Sequence, residues 1–384
     1  MKINRFTLFV IGLCVISIAF IYGCGNATGG GSSGSSVSNR TGVFSYAGTQ
    51  ASGDAWAWTI GTSEFIGTNE TASFTITGEW SALSSGFSKA HVEGVFGSGG
   101  PTAGGYAYFL EFPKTLLLVK PAGSGDDRVL VCAASATTEP AQGQYLFVTI
   151  PKSTWEAIKP AFGTVEVTHD SSTPFKWQFD VSSYDITGEF ISEDIPSGGY
   201  HFIYTNGTFT DESSSVSLEV FMTPSGMFLG DNGPGQGGFA GASYEGISIS
   251  DIIPHQYKGI RFIYYPPASP GAPSTGETEA VTCHRNGTST TELWATAYDN
   301  VDTGAIHQGK GYVTITFEAS AVSGFSRGYV TGHDEDGNHM EIIQCVVSQV
   351  GPDYLGKMRY LLFGIGLEDN GRAFNFLFIQ TDIP

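Results

Sequence analysis

Strict alternation of apolar and polar residues recurs along the chain from Phe44 onward. Phe74 and Ile76 alternate with Ser73, Thr75 and Thr77; Val216, Leu218 and Val220 with Ser217 and Glu219; Val313, Ile315 and Phe317 with Thr314 and Thr316. Phe374, Phe376 and Phe378 keep the same parity near the C-terminus. Successive side chains of a strand point to opposite faces, so this period of two predicts strands with one face buried. Further strand-like runs are Tyr106 to Phe112, Thr115 to Lys120, Arg128 to Ala133, Tyr145 to Ile150, Tyr257 to Tyr265, Met340 to Val347 and Arg359 to Ile365. Turn clusters of Gly, Pro, Asn and Asp separate them. One short helix is expected, where Ser153-Thr154-Trp155-Glu156 has capping-box spacing and Pro160 stops the run.

An internal repeat overlies this pattern. Thr75-Ile76-Thr77-Gly78-Glu79-Trp80-Ser81-Ala82 recurs as Thr314-Ile315-Thr316-Phe317-Glu318-Ala319-Ser320-Ala321, and Ser85-Gly86-Phe87-Ser88-Lys89 as Ser323-Gly324-Phe325-Ser326-Arg327. Each copy then reaches a Cys-x-x-Ser strand, Cys132 to Ser135 and Cys345 to Ser348, with about 25 more residues before it in the first copy, enough for an extra hairpin around Tyr106 to Lys120. Ile186-Thr187-Gly188-Glu189-Phe190 is too weak an echo to found a third copy. The expected fold is all-β: tandem antiparallel β-sandwich or small β-barrel modules with one short helix. The expected divisions are a leader over 1–23, a Gly/Ser-rich tether over 24–42, an N-terminal module over 43–160, a middle region over 161–266 and a C-terminal module over 278–384. Pro266 to Pro273 reads equally as a linker or as a long rigid hairpin loop.

Composition supports an extracytoplasmic β protein, with 13% aromatic residues, 14% charged residues and 52 glycines in 384 residues. The leader begins with Lys2 and Arg5, continues as an uncharged apolar run from Phe6 to Tyr22, and ends in Gly23-Cys24. It reads as a targeting segment rather than part of the fold. In these residues the chain resembles bacterial lipoprotein precursors, in which a small residue precedes a cysteine that is lipidated and becomes the new N-terminus. The resemblance implies lipidation at Cys24 and attachment to a leaflet through the lipid, and Gly25 after it implies the outer rather than the inner membrane. An uncleaved signal anchor is the alternative, since about 20 apolar residues span a bilayer and this run is slightly shorter. The resemblance covers this segment alone.

Removing Lys2 and Arg5 leaves 16 basic against 37 acidic side chains, a net charge of −21. That balance opposes nucleic acid as a partner and docking of the body onto anionic lipid, because both attractions come from Lys and Arg. A protein or carbohydrate ligand remains open. Beyond the leader stand Cys132, Cys283 and Cys345. In an oxidising envelope a pair is expected to bond, and Cys283 with Cys345 is the preferred pair because both lie in the last module. Cys132 reads as a buried small hydrophobe.

Three constellations carry possible chemistry. Gly233, Gly235 and Gly238 match a GxGxxG formally, but β-type sequence follows and Pro234 occupies the loop, so a broad turn is the reading and no nucleotide cofactor is expected. His333-Asp334-Glu335-Asp336-Gly337-Asn338-His339 offers Asp334, Asp336 and Asn338 as oxygen ligands for Ca²⁺, against the simpler reading of Asp-Gly as hairpin turn chemistry. Trp56, Trp58 and Trp80 suit stacking on sugar rings but read first as core. The function expected is a binding or display role in the cell envelope without catalysis. The alternatives are an envelope hydrolase whose residues converge from distant positions, and a lipocalin-like carrier with an apolar ligand in a barrel mouth.

Overall fold

The alternating segments close into three antiparallel barrels in the computed structural model. It describes residues 42–382 apart from 51–53, 99, 122–129, 135–140, 151–160, 170–171, 173–175, 192–197, 206–207, 212–218, 224, 232–237, 266–274, 307–312, 335–336, 354 and 369–371. The leader with Cys24, the expected helix at 153–160, the Pro-rich segment and Asp336 lie outside these residues.

Each barrel is an up-and-down meander of eight strands in which the last pairs with the first. The first barrel runs from Phe44–Gln50 to Leu130–Ala134, the second from Gly143–Ile150 to Gly238–Ser243, and the third from Tyr257–Tyr265 to Ala373–Gln380. Closure removes the unpaired strand edges that an open sheet would expose. In the second and third barrels a two-residue strand, Phe190–Ile191 or Ala305–Ile306, is appended to the third strand.

Strand pairing moves the expected divisions. Gly143–Ile150, placed with the N-terminal module from sequence, pairs with Ala161–His169 and Gly238–Ser243 and opens the second barrel. Tyr257–Tyr265, placed in the middle region, opens the third. The repeat is only partly topological. Phe74–Ala82 and Val313–Ala319 are both fourth strands, and both Ser-Gly-Phe segments join the fourth strand to the fifth. Cys132, however, lies on an eighth strand and Cys345 on a sixth. The hairpin around Tyr106 to Lys120 is therefore not extra, because its strands are the sixth and seventh that the third barrel also has. The echo at Ile186 to Phe190 follows a third strand rather than forming a fourth, yet the middle region is a full third copy of the barrel.

Large side chains fill each barrel. Trp56, Trp58, Phe65, Phe74 and Phe109 are buried in the first, with Trp56 stacked 5.6 Å from Trp58 and Phe74 edge-on at 5.4 Å. Phe147, Trp177, Phe179 and Phe228 occupy the second. The third holds Tyr257, Phe317, Phe374, Phe376 and Phe378, joined by Ile252 and Ile253 at the end of the helix Ile249–Ile252. Ser248 and Asp251 box that helix's N-terminus; the spacing is visible in the sequence, but so short a helix leaves no apolar period to confirm it.

The barrels pack against one another through their outer faces. Leu116, Leu118 and Val131 of the first, Leu146, Val148 and Leu229 of the second, and Ile260, Phe363 and Leu377 of the third belong to one apolar cluster. The eighth and first strands of the first barrel lie against the seventh of the second. The eighth, first and second strands of the second lie against the sixth and seventh of the third, and the first and second strands of the third against the seventh of the first. Equivalent surfaces thus meet head to tail in a ring that closes after three units, which is the geometry of a cyclic trimer built within one chain.

The Ser-Gly-Phe turns are joints of this ring. In the first barrel's turn the Ser85 carbonyl accepts hydrogen bonds from Lys258 and, at 3.4 Å, from Tyr298, while Phe87 packs edge-on against Tyr298. Lys89 beside it pairs with Asp302 at 2.6 Å. The third barrel's turn reaches the second: Phe325 lies 4.5 Å from Phe162. Gly86 and Gly324 have φ of 86° and 87°, where a side chain strains the backbone, and a Cβ on Gly324 would stand 3.0 Å from Leu146. Replacing Phe325 by Ala removes a ring from between two barrels and is expected to cost about 3 to 5 kcal/mol. Urea unfolding measures this; a loss below about 1 kcal/mol, the level of an ordinary surface change, would show that the joint is not packed as described.

Candidate functional site

Of the residues that sequence singled out, the two cysteines of the third barrel do not pair. Cys283 lies on the second strand of the third barrel and Cys345 on the sixth, half-way round a closed eight-stranded ring. Both are buried free thiols rather than the expected disulfide. Sharing a module was not enough, because a bridge needs Cβ atoms about 4 Å apart and these strands face each other across a filled interior. Burial pushes both thiols upward in pKa, and Cys345 donates to the Ser326 carbonyl at 3.3 Å. Asp334 ends the fifth strand of the third barrel and pairs with Gly337, and His333 pairs with Asn338; Glu335 and Asp336 lie outside the described residues. No group of three or more His, Cys, Asp or Glu is arranged for a metal among the described residues. The glycine-rich loop likewise joins two paired strands, with Asp231 opposite Gly238, where a dinucleotide site requires a helix to follow. Trp56 and Trp58 point into the first barrel, and Trp80 packs on Phe109 while its Nε1 donates to the Gly61 carbonyl.

The structure instead assembles a polar cleft of about 200 Å³ at one end of the third barrel, lined by His255, Gln349, Lys357, Met358, Arg359, Tyr360, Gln380 and Asp382. Its wall is built around Asp353, in the connection between the sixth and seventh strands. One carboxylate oxygen accepts the backbone N–H groups of Leu355 and Lys357 at 2.8 and 2.9 Å, which folds the turn. The other accepts Nε and Nη2 of Arg359 at 3.0 and 2.9 Å. Both partners are buried, so each charge depends on the other. Arg359 also faces the Phe112 ring of the first barrel at 5.8 Å, tying the cleft to the neighbouring unit.

Across the cleft, His255 follows the short helix and meets the chain's last strand. Its Nδ1 is 3.1 Å from Asp382 Oδ2 and 3.0 Å from Gln380 Nε2, while Gln380 Oε1 accepts the Tyr360 N–H at 3.1 Å. A protonated Nδ1 donates to Asp382 and a bare one accepts from Gln380, so this nitrogen has a partner in either state. Asp382 also accepts the Gln256 N–H at 2.8 Å, stitching the end of the chain to the start of the third barrel. Inside that barrel, burial holds the Tyr257 hydroxyl well above its usual pKa, and it donates to the Ile252 carbonyl.

A histidine oriented by a carboxylate is half of a hydrolase triad, but the residues lining this cleft include no serine, threonine or cysteine to attack. None of these residues was foreseen as a site. His255 and Asp382 are 127 positions apart, and only barrel closure brings them together. No known protein family, curated protein or solved structure matches the chain.

The thiols supply a direct check on the third barrel. At about pH 8, where an open thiol is substantially ionised, N-ethylmaleimide is expected to leave Cys283 and Cys345 unmodified in the folded protein and to modify both in denaturant. Peptide masses report the outcome; a peptide pair linked through these two residues would contradict the placement.

Proposed function

We propose that the chain is a lipid-anchored protein of the bacterial envelope that works by binding or display rather than by catalysis. The observation that carries this reading is where the molecule leaves room. The barrel interiors are occupied by their own aromatic side chains, Trp56 and Trp58 in the first, Trp177 and Phe228 in the second, Phe374 and Phe376 in the third. A lipocalin-like carrier needs an apolar hollow at that position. A hydrolase of the triad kind needs a serine, threonine or cysteine beside its histidine, and none is among the residues lining this cleft. Among the described residues, the body offers its outer surface and, at one end of the third barrel, a polar cleft.

Lys2, Arg5, the apolar run to Tyr22 and Gly23-Cys24 support the anchor, and the Gly/Ser-rich segment that follows suits a spacer between membrane and body. Two or more acyl chains at Cys24 would supply stable attachment at about 0.8 kcal/mol per buried methylene, which the acidic body could not obtain from anionic lipid. Among the described residues no helix is long and apolar enough to cross a membrane. Cells fed radiolabelled palmitate are expected to label the wild-type protein and not Cys24→Ala. Equal labelling of both would reject the anchor.

A further inference from the structure

The cleft beside His255 departs from the rest of this acidic protein. The chain carries 37 acidic against 18 basic side chains, yet the lining pairs three nitrogen bases, Lys357, Arg359 and His255, with a single carboxylate, Asp382. Arg359 spends Nε and Nη2 on Asp353 and Nη1 on the Gln380 carbonyl at 3.3 Å. Asp382 spends both oxygens on His255 and on the Gln256 N–H. The structural pairs are thus complete, and they account for only part of the polar lining.

Four lining groups have no hydrogen-bond partner among the described residues: the Lys357 ammonium, the Tyr360 hydroxyl, the Gln349 side-chain amide and Nε2 of His255. All four can donate. Nε2 carries a proton when Nδ1 accepts from Gln380 and when the ring is charged, and it accepts in the neutral tautomer that keeps the proton on Nδ1 toward Asp382. Donors of this kind, one of them cationic, match a carboxylate, which only accepts and whose hydrogen bonds to an ammonium are the strong, charge-assisted kind. The flat faces of Tyr360 and His255, 5.2 Å apart, add a surface for a small ring or an aliphatic stem.

We propose that this cleft binds a small carboxylate of the size of one sugar ring or one amino acid. Lys357 neutralises the carboxylate, Tyr360 and Gln349 orient it, and His255, positioned by Asp382 and Gln380, donates from Nε2 in the tautomer whose Nδ1 accepts from Gln380. This rests on the binding role proposed above and names the ligand chemistry for it. A uronic acid and the carboxylate of a peptide terminus share that chemistry.

The test is titration calorimetry on the full-length protein in detergent, with glucuronate and N-acetylalanine as probes and glucose and N-acetylalanine amide as their uncharged counterparts. At least one acid is expected to bind with a Kd near or below about 1 mM and its uncharged counterpart at least about tenfold more weakly. Which acid binds identifies the source. Lys357→Gln and Tyr360→Phe are each expected to weaken that binding at least about tenfold, with the unfolding midpoint of Lys357→Gln unchanged because its ammonium holds no partner among the described residues. Failure of both acids to bind, equal binding of acid and uncharged counterpart, or undiminished binding by Lys357→Gln would overturn the inference. These outcomes leave palmitate labelling of Cys24 untouched, so they can be told apart from failure of the anchored-protein reading.

Discussion

Everything in this molecule depends on apolar side chains on the outside of its barrels. A small closed barrel buries one face of each strand and leaves the other to water. Here the outer faces of the sixth, seventh, eighth and first strands also carry Leu, Val, Ile and Phe, and a single barrel would expose them as a broad apolar patch. Three barrels resolve this by covering each other's patches in a ring. The eighth strand of the third barrel records the constraint residue by residue. Phe374, Phe376 and Phe378 fill the barrel, while Ala373, Leu377 and Ile379 enter the shared cluster, and all eight positions from Ala373 to Gln380 are buried.

Apolar contact sets that the barrels meet; polar contacts set how. Asn375, on the same face as Ala373, Leu377 and Ile379, accepts from the Tyr264 hydroxyl at 2.6 Å and donates to the Thr149 carbonyl of the second barrel at 2.8 Å. It borders a cavity of about 20 Å³ lined from all three barrels, by Val131 of the first, Val148 and Ala240 of the second, and Phe363 and Leu377 of the third among others. Gln344 donates to the Ile186 carbonyl and Ser348 to the Ser243 carbonyl, both across the same boundary. Between the first and third barrels, Lys258 is sunk far enough that burial lowers its pKa, and it donates to the Ser85 carbonyl. Buried polar groups with a single satisfying geometry penalise any other register.

The sequence was informative where one face decides. Period-two alternation located the strands and the β class, because it reports burial of alternate residues directly. It said less about the second buried face: Leu377 and Ile379 stand between the phenylalanines of the last strand, and alternation alone reads that strand as half exposed. The repeat misled in a useful way. Ser-Gly-Phe occurs twice although the barrel occurs three times, since the motif marks joints and not barrels; between its fourth and fifth strands the second barrel carries Asn206-Gly207 instead. The Cys-x-x-Ser match failed because it aligned an eighth strand with a sixth, and the expected disulfide failed because two residues of one barrel can face each other across it. The cleft was not legible at all, since its parts come from four separated segments that only closure of the third barrel brings together.

The three barrels share one apolar cluster and therefore stand or fall together. Differential scanning calorimetry of the full-length protein tests it most directly. A shared core predicts one transition for the body, with a calorimetric enthalpy equal to the van't Hoff enthalpy. Resolved transitions for separate barrels, with a calorimetric enthalpy well above the van't Hoff value, would contradict it.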